Sequence, residues 1–209
     1  MPRRSYAQYC AVARALDAVG ERWTLLIVRE LLGGARRYTD LHADLPGVST
    51  DVLASRLKEM ERDGVVERRR LPAPASASVY ELTERGRGLL PVLTALAEWG
   101  AEDLGVCRET DARHGHWFAL PLLGVLKGVA GDCGGVVEVR IEGAVFQLVI
   151  GEEPAWVAGA AEAPDVLMTL DAETATELVS GNATVAEAAK EGKVRLLGDG
   201  MLAEALRTR

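Results

Sequence analysis

The stretch Tyr38–Asp63, YTDLHADLPGVSTDVLASRLKEMERD, decides how the rest of the chain is read. It predicts two helices joined by a tight turn, the first over about Tyr38–Asp44 and the second over Thr50 to about Arg62. Pro46 and Gly47 separate them, because proline lacks an amide proton and glycine permits unusual backbone angles. Ser49 stands where an N-cap is wanted, its hydroxyl able to accept an orphan amide proton of the following turn. Leu53, Leu57 and Met60 fall at i, i+4, i+7, one helical stripe. The other face carries Thr50, Asp51, Ala54, Ser55 and Lys58, short or polar groups that make a poor core. A helix with one buried stripe and a small, polar, partly basic outer face suits the major groove of DNA. An ordinary helical hairpin shares the same periodicity.

The residues that follow extend the pattern. Gly64 stops the helix, and Val65-Val66-Glu67-Arg68-Arg69-Arg70 is β-branched first and basic after. The loop Leu71-Pro72-Ala73-Pro74-Ala75-Ser76-Ala77-Ser78 leads to a second short strand, Val79-Tyr80-Glu81-Leu82. Helix, turn, helix and basic hairpin together predict a winged helix. Arg68, Arg69 and Arg70 are placed to meet phosphate oxygens beside the groove; alternatively they charge a strand edge against aggregation. Arg36 and Arg37, just before the first helix, are phosphate candidates of the same kind, or plain solubilising charge.

Six blocks carry a family likeness. They are Cys10–Asp17 (CAVARALD), Gly20–Leu31 (GERWTLLIVREL), Arg36–Leu41 (RRYTDL), Leu45–Ser49 (LPGVS), Val52–Leu57 (VLASRL) and Leu82–Gly86 (LTERG). In this order and spacing, over about residues 8–104, the chain resembles the HxlR-type winged-helix transcriptional regulators. The resemblance implies a dimeric bacterial DNA-binding protein with the helix from Thr50 in the groove. It places the dimer interface on the N-terminal helix and the helix around Leu89 to Trp99. Some regulators of this type carry a redox-sensing cysteine near the position of Cys10. Sensing requires an exposed thiolate of low pKa, and Arg14 lies one turn on. The simpler reading makes Cys10 a small apolar residue packed under the N-terminal helix.

The whole chain bounds these readings. Its 209 residues hold one large domain or two small ones. With 48% hydrophobic and 26% charged residues, the balance is that of an ordinary globular protein. No apolar run approaches the roughly 20 residues a bilayer span needs, and the opening MPRRSYAQYC lacks the apolar core of a signal peptide. A cytoplasmic protein with no membrane association is expected. Cys10, Cys107 and Cys133 form neither a zinc spacing nor a disulfide framework. The net charge of −7 is uneven: residues 1–104 carry 15 basic and 15 acidic side chains, and residues 105–209 carry 9 and 16. A neutral first half makes DNA affinity depend on where the arginines sit and favours a dimer presenting two basic surfaces.

Along the first half, Val12–Val19 reads as a short helix ended by Gly20. Trp23–Leu32 (WTLLIVRELL) is apolar nearly all round and so is buried, with Trp23 a core aromatic. Thr83 caps a further helix, in which Leu89, Leu93, Leu96 and Trp99 keep helical spacing and Pro91 marks a kink or the start of the straight part. Residues 105–117 (GVCRETDARHGHW) are polar and aperiodic, a linker. His114, His116 and nearby Cys107 match no closed set of metal ligands.

The second half changes character. Trp117–Val129 is an apolar helix broken by Pro121. Val136–Glu142 and Ala144–Ile150 alternate with period two around a tight turn at Glu142-Gly143. Pro154–Ala158 and Asp165–Leu170 are further strands. Asp171 and Thr184 cap two helices, Lys193–Leu197 is a short strand, and MLAEALRTR is a last helix. Strands first and helices after predict α+β, with helices on one sheet face. The order from Asp165 onward, above all Gly192–Asp199 (GKVRLLGD), resembles the sterol-carrier-protein-like domain over about residues 120–209. That implies an apolar tunnel for a lipid-like or other hydrophobic small molecule. Phe146, Trp156, Met168, Leu178, Ala186 and Met201 are candidate lining residues; ordinary core packing is the simpler reading of each.

The chain is therefore expected to be α+β in two domains. These are a winged helix-turn-helix domain over 1–104 and, after a linker over 105–117, a smaller sheet-plus-helices domain over 118–209. The expected function is a homodimeric, ligand-responsive transcriptional regulator. Thr50, Asp51, Ser55 and Lys58 are the base-edge candidates, and Arg36, Arg37, Ser49, Arg56 and Arg68 to Arg70 the phosphate candidates. No cofactor or metal is called for. No nucleophile–base pair, phosphate loop or paired carboxylates suggest an enzyme. A lipid-binding protein whose winged helix makes only protein contacts, and a redox regulator acting through Cys10, are the alternatives.

Overall fold

The computed structural model describes residues 5–72, 77–105 and 107–208. Expectations for residues 1–4, for Ala73–Ser76 of the expected loop, for Val106 of the expected linker and for Arg209 lie outside the described residues. The chain groups into two compact units, Met1–Leu89 and Leu90–Arg209.

The first unit runs α1 (Ala11–Val19), α2 (Thr24–Leu32), β1 (Arg36–Arg37), α3 (Tyr38–Ala43), α4 (Thr50–Arg62), β2 (Val66–Arg70), β3 (Ser78–Leu82) and α5 (Glu84–Arg87). The expected turn between α3 and α4 is present, with Gly47 at φ 87°. Ser49 Oγ accepts from Val52 N at 3.3 Å, so the expected N-cap is made. Leu53, Leu57 and Met60 are each at most 1% exposed and pack in the core with Ile27, Val28, Leu41, Leu45, Val65 and Leu82. The hairpin β2–β3 is antiparallel, Val66 opposite Leu82 and Arg70 opposite Ser78. Arg36 and Arg37 are more than a lead-in to α3. They form β1, paired antiparallel with β3, and complete a sheet of order β1-β3-β2. Two residues carry no periodicity, so this strand had no signal of its own.

Trp23 departs from the simple core role. It is half-buried, holds φ 78° at the N-cap of α2, and packs under the Arg22 guanidinium, 5.2 Å from its ring centre. A non-glycine residue in the left-handed region costs about 1–2 kcal/mol. Cys10 is exposed at the N-cap of α1 and makes no side-chain cap bond. The reading of it as a small residue packed beneath the helix is thereby corrected.

The second unit begins with α6 (Leu90–Ala101). Pro91 sits in its first turn, where no amide donor is needed, and starts the straight helix after the short α5. A 3-10 turn at Gly115–Phe118 then leads into α7 (Ala119–Ala130). Pro121 does not break this helix, contrary to the sequence expectation, because it too falls in the first turn. Next come β4 (Gly135–Ile141), β5 (Ala144–Ile150), β6 (Ala155–Ala158), β7 (Val166–Thr169), α8 (Ala172–Val179), α9 (Val185–Lys190), β8 (Arg195–Leu197) and α10 (Met201–Thr208).

The five strands lie in the order β6-β5-β4-β7-β8, with β4–β7 parallel and the other pairs antiparallel. Glu142 and Gly143 have φ of 48° and 84°, the doubly left-handed turn that matches strand twist in a two-residue hairpin. Val137, Val139, Ile141, Phe146, Leu148, Trp156, Val166 and Met168 are buried, as are Leu122 and Leu126 of α7 and Leu202 and Leu206 of α10. Glu138 is also buried; it accepts from Arg140 at 2.8 Å and from Ala161 N at 2.9 Å.

The caps of this unit are titratable. Asp171 accepts from Thr174 N at 2.8 Å, and this backbone hydrogen bond is the main reason its carboxyl is held below the usual carboxylate range. A carboxylate depressed on folding contributes stability that is full above its unfolded pKa, about 3.9, and is lost as pH falls through the lower folded value. Asp171→Ser keeps a capping oxygen but cannot titrate. We expect it to match the wild type within about 0.5 kcal/mol at neutral pH and to flatten the acid limb of a melting-temperature profile below about pH 4. An unchanged acid limb would remove Asp171 as its source.

Candidate nucleic-acid interface

The outer face of α4 is open. Thr50, Asp51, Ala54, Ser55 and Lys58 are all exposed, directly opposite the buried Leu53–Leu57–Met60 stripe. Val52 shares this exposure at 41%. It was missed because an apolar residue reads as core, yet a methyl group on such a face can meet the thymine methyl. Tyr38, read only as the start of a helix, donates from its hydroxyl to Thr50 O at 2.7 Å and so ties the first residue of α4 to α3. The family block Arg36–Leu41 was the available pointer to it.

The basic candidates separate by what already holds them. Arg36 is half-buried, 3.1 Å from Asp44 and 4.0 Å from the buried Glu30. Arg56 is also largely buried, bound to Glu59 at 2.5 Å with Glu21 at 4.0 Å. Both have buried Nε atoms with no hydrogen-bond partner, so each guanidinium is fixed by packing and is not extended toward solvent. Arg69 reaches across the hairpin to Glu81 with two bonds, 2.7 and 3.2 Å. That pairing raises the Arg69 pKa and, through the same hydrogen bond, lowers that of Glu81. Arg68 donates to Ser78 Oγ at 3.2 Å and lies over the Tyr80 ring at 5.9 Å. Arg37, Lys58 and Arg70 are exposed and make no side-chain ion pair among the described residues. Ser49 is exposed, but its hydroxyl is occupied in capping α4.

In the second unit, Phe146, Trp156, Met168, Leu178 and Ala186 all lie in the core at 5% exposure or less, whereas Met201 is 79% exposed on α10 and does not join them. Trp156 packs edge-on to Phe146 and stacks with His116, at centroid distances of 6.4 and 6.2 Å. Its indole Nε1 is buried without a hydrogen-bond partner. None of the six lines the concavity beside Arg14 and Arg62 or the one between α6 and α7.

Comparison with known proteins places both halves. Residues 18–106 match the model of the HxlR-like helix-turn-helix family. The HTH-type transcriptional regulator YvaP of Bacillus subtilis strain 168 is 40% identical over 89 residues, 43% of this chain and 82% of that protein. The chain belongs to the HxlR-like helix-turn-helix family. A second HTH-type transcriptional regulator of the same bacterium, YodB, is 36% identical over 85 residues, 41% of this chain and 76% of that protein. Regulator Rv3095 of Mycobacterium tuberculosis strain H37Rv is 42% identical over 94 residues, 45% of this chain and 59% of that protein. Residues 126–208 match the SCP-2 sterol transfer family.

Dividing the charge at the unit boundary sharpens the electrostatics of this HxlR-like chain. Residues 1–89 carry 15 Lys+Arg and 12 Asp+Glu, or +3, and residues 90–209 carry 9 and 19, or −10. The two units and the division at residue 104 differ by Glu98, Glu102 and Asp103, which fall in the second unit. Among the described residues no helix is long and apolar enough to cross a membrane.

Proposed function

We propose that this transcriptional regulator binds operator DNA as a homodimer and that its second unit is an effector-binding module for a hydrophobic small molecule. It acts in the cytoplasm and without catalysis. The carrying observation is the exposed polar face of α4, backed by a fully buried stripe and flanked by a basic hairpin. In this reading α4 enters the major groove, with Thr50, Asp51, Ser55 and Lys58 facing base edges. Arg37 and Arg70 contact phosphate, joined by Arg68. Arg36, Arg56 and Arg69 serve mainly to hold α3, α4 and the hairpin in place.

The functional division follows the sequence reading, 1–104 for DNA binding and 118–209 for the effector, with α6 as the dimer helix. Val92, Leu96 and Trp99 of α6 and Val12 and Leu16 of α1 are exposed at 43–76%, apolar faces of the kind a homodimer covers. An effector shifts operator affinity only through unequal affinity for the two arrangements.

The test is binding of the full chain to its own upstream DNA across a salt series. Lys58→Ala is expected to weaken binding by about 1–3 kcal/mol and to relax specificity at the base pair that Lys58 faces. An unchanged affinity and specificity would remove Lys58 from the interface. No specific retention of upstream DNA by the wild type would overturn the operator reading.

A further inference from the structure

We propose that the trough between α6 and α7 binds an amphipathic cation. The inference rests on reading the second unit as an effector module, and it moves the site away from that unit's interior. Large side chains fill the interior: Phe146, Trp156 and Met168 are each at most 2% exposed. The trough, of about 680 Å³, has apolar lining from Leu90, Pro91, Leu123 and Pro154.

Its floor is the backbone of α7 at Gly124 and Gly128. Glycine inside a helix costs about 1 kcal/mol relative to alanine. Packing within the chain does not demand it at residue 128, where an added Cβ would meet nothing within 4 Å. The space above Gly128 is thus open although alanine there would strengthen the helix.

Charge selects the occupant. The Glu98 carboxylate lies against the floor, where a Cβ on Gly124 would come within 3.0 Å of its Oε1. Among the described residues Glu98 makes neither a hydrogen bond nor an ion pair. Lys127 also borders the trough and is exposed; its long stem lets the ammonium turn to water. The surrounding residues 90–209 carry −10, a field that concentrates cations. An apolar body on the proline and leucine walls, with one positive head at Glu98, satisfies both features. Because α6 also presents Val92, Leu96 and Trp99 outward, an occupant wedged against α6 acts directly on the helix assigned to the dimer.

The test is calorimetric titration of the full chain, without DNA, using tetraphenylphosphonium and its isosteric anion tetraphenylborate. We expect one saturable site per chain and at least tenfold tighter binding of the cation. Glu98→Gln should abolish that preference. Gly128→Leu should weaken cation binding at least tenfold while leaving the melting temperature equal or higher, since leucine is the better helix former. Absence of saturable cation binding, equal or tighter binding of the anion, a preference that survives Glu98→Gln, or wild-type affinity in Gly128→Leu would each overturn the proposal. None of these outcomes depends on operator binding, so the regulator reading stands or falls separately.

Discussion

Gly86→Val is expected to lower the unfolding free energy of the first unit by about 3 kcal/mol, the upper end of ordinary overpacking. Gly86 is buried at the start of α5, where its amide donates to the Thr83 hydroxyl at 3.1 Å. A Cβ there would stand 2.1 Å from Val65 O and about as close as 3.0 Å to the Leu82 side chain. The nearer obstacle is backbone and has nowhere to go: Val65 N bonds Met60 O at the end of α4, and Val65 O accepts from Thr83 N at 3.1 Å. Relieving the clash therefore pulls the basic hairpin away from α4, and operator affinity should fall together with stability. Denaturant titration beside Gly88→Ala, at an exposed neighbouring position, measures the effect. A Gly86→Val protein within about 1 kcal/mol of wild type would show that this junction yields.

Glu30→Ala is expected to cost about 3–5 kcal/mol. The carboxylate is fully buried in α2 and bound to Arg29 at 2.6 and 2.8 Å, with Arg36 at 4.0 Å. Removing it takes a shared counter-charge from two partly buried guanidinium groups, and breaking a buried ion pair from one side costs more than the pair contributes. Glu30→Gln retains an acceptor and should lose less. Arg36 is also held by Asp44 at 3.1 Å, so β1 should survive better than the end of α2, which hydrogen exchange resolves residue by residue. If Glu30→Ala and Glu30→Gln destabilise equally, the charge rather than the retained acceptor holds this site.

The recognition segment was legible because several independent local signals agreed. Pro46-Gly47, Ser49 and the Leu53–Leu57–Met60 stripe each pointed to the same turn and helix, and the cap, the turn and the burial all appear. The second unit was legible for the same reason at Glu142-Gly143 and at the caps Asp171 and Thr184. Long-range pairing was not. Nothing local in Arg36-Arg37 announces a strand, since it exists only through β3. Composition likewise does not reveal which arginines are spoken for: Arg56 and Arg70 read alike, yet Glu59 and Glu21 hold one while the other is exposed. Pro121 read as an interruption and Pro91 as either a kink or the start of a straight helix, and each lies in the first turn of its helix, a boundary that hydrophobic spacing alone does not locate.

The account rests on the outer face of α4 meeting DNA, and Ser55→Glu addresses it most directly. Ser55 is exposed in the middle of that face, and glutamate is a good helix former, so the fold should be unaffected. Fluorescence anisotropy with labelled upstream DNA should show specific, saturable binding by the wild type. Ser55→Glu should lose at least tenfold in affinity, about 1.4 kcal/mol, at an unchanged melting temperature. Wild-type affinity in the Ser55→Glu protein would contradict the account, because a longer, charged side chain added in the middle of that face meets the negative field of the phosphates with no donor placed for it.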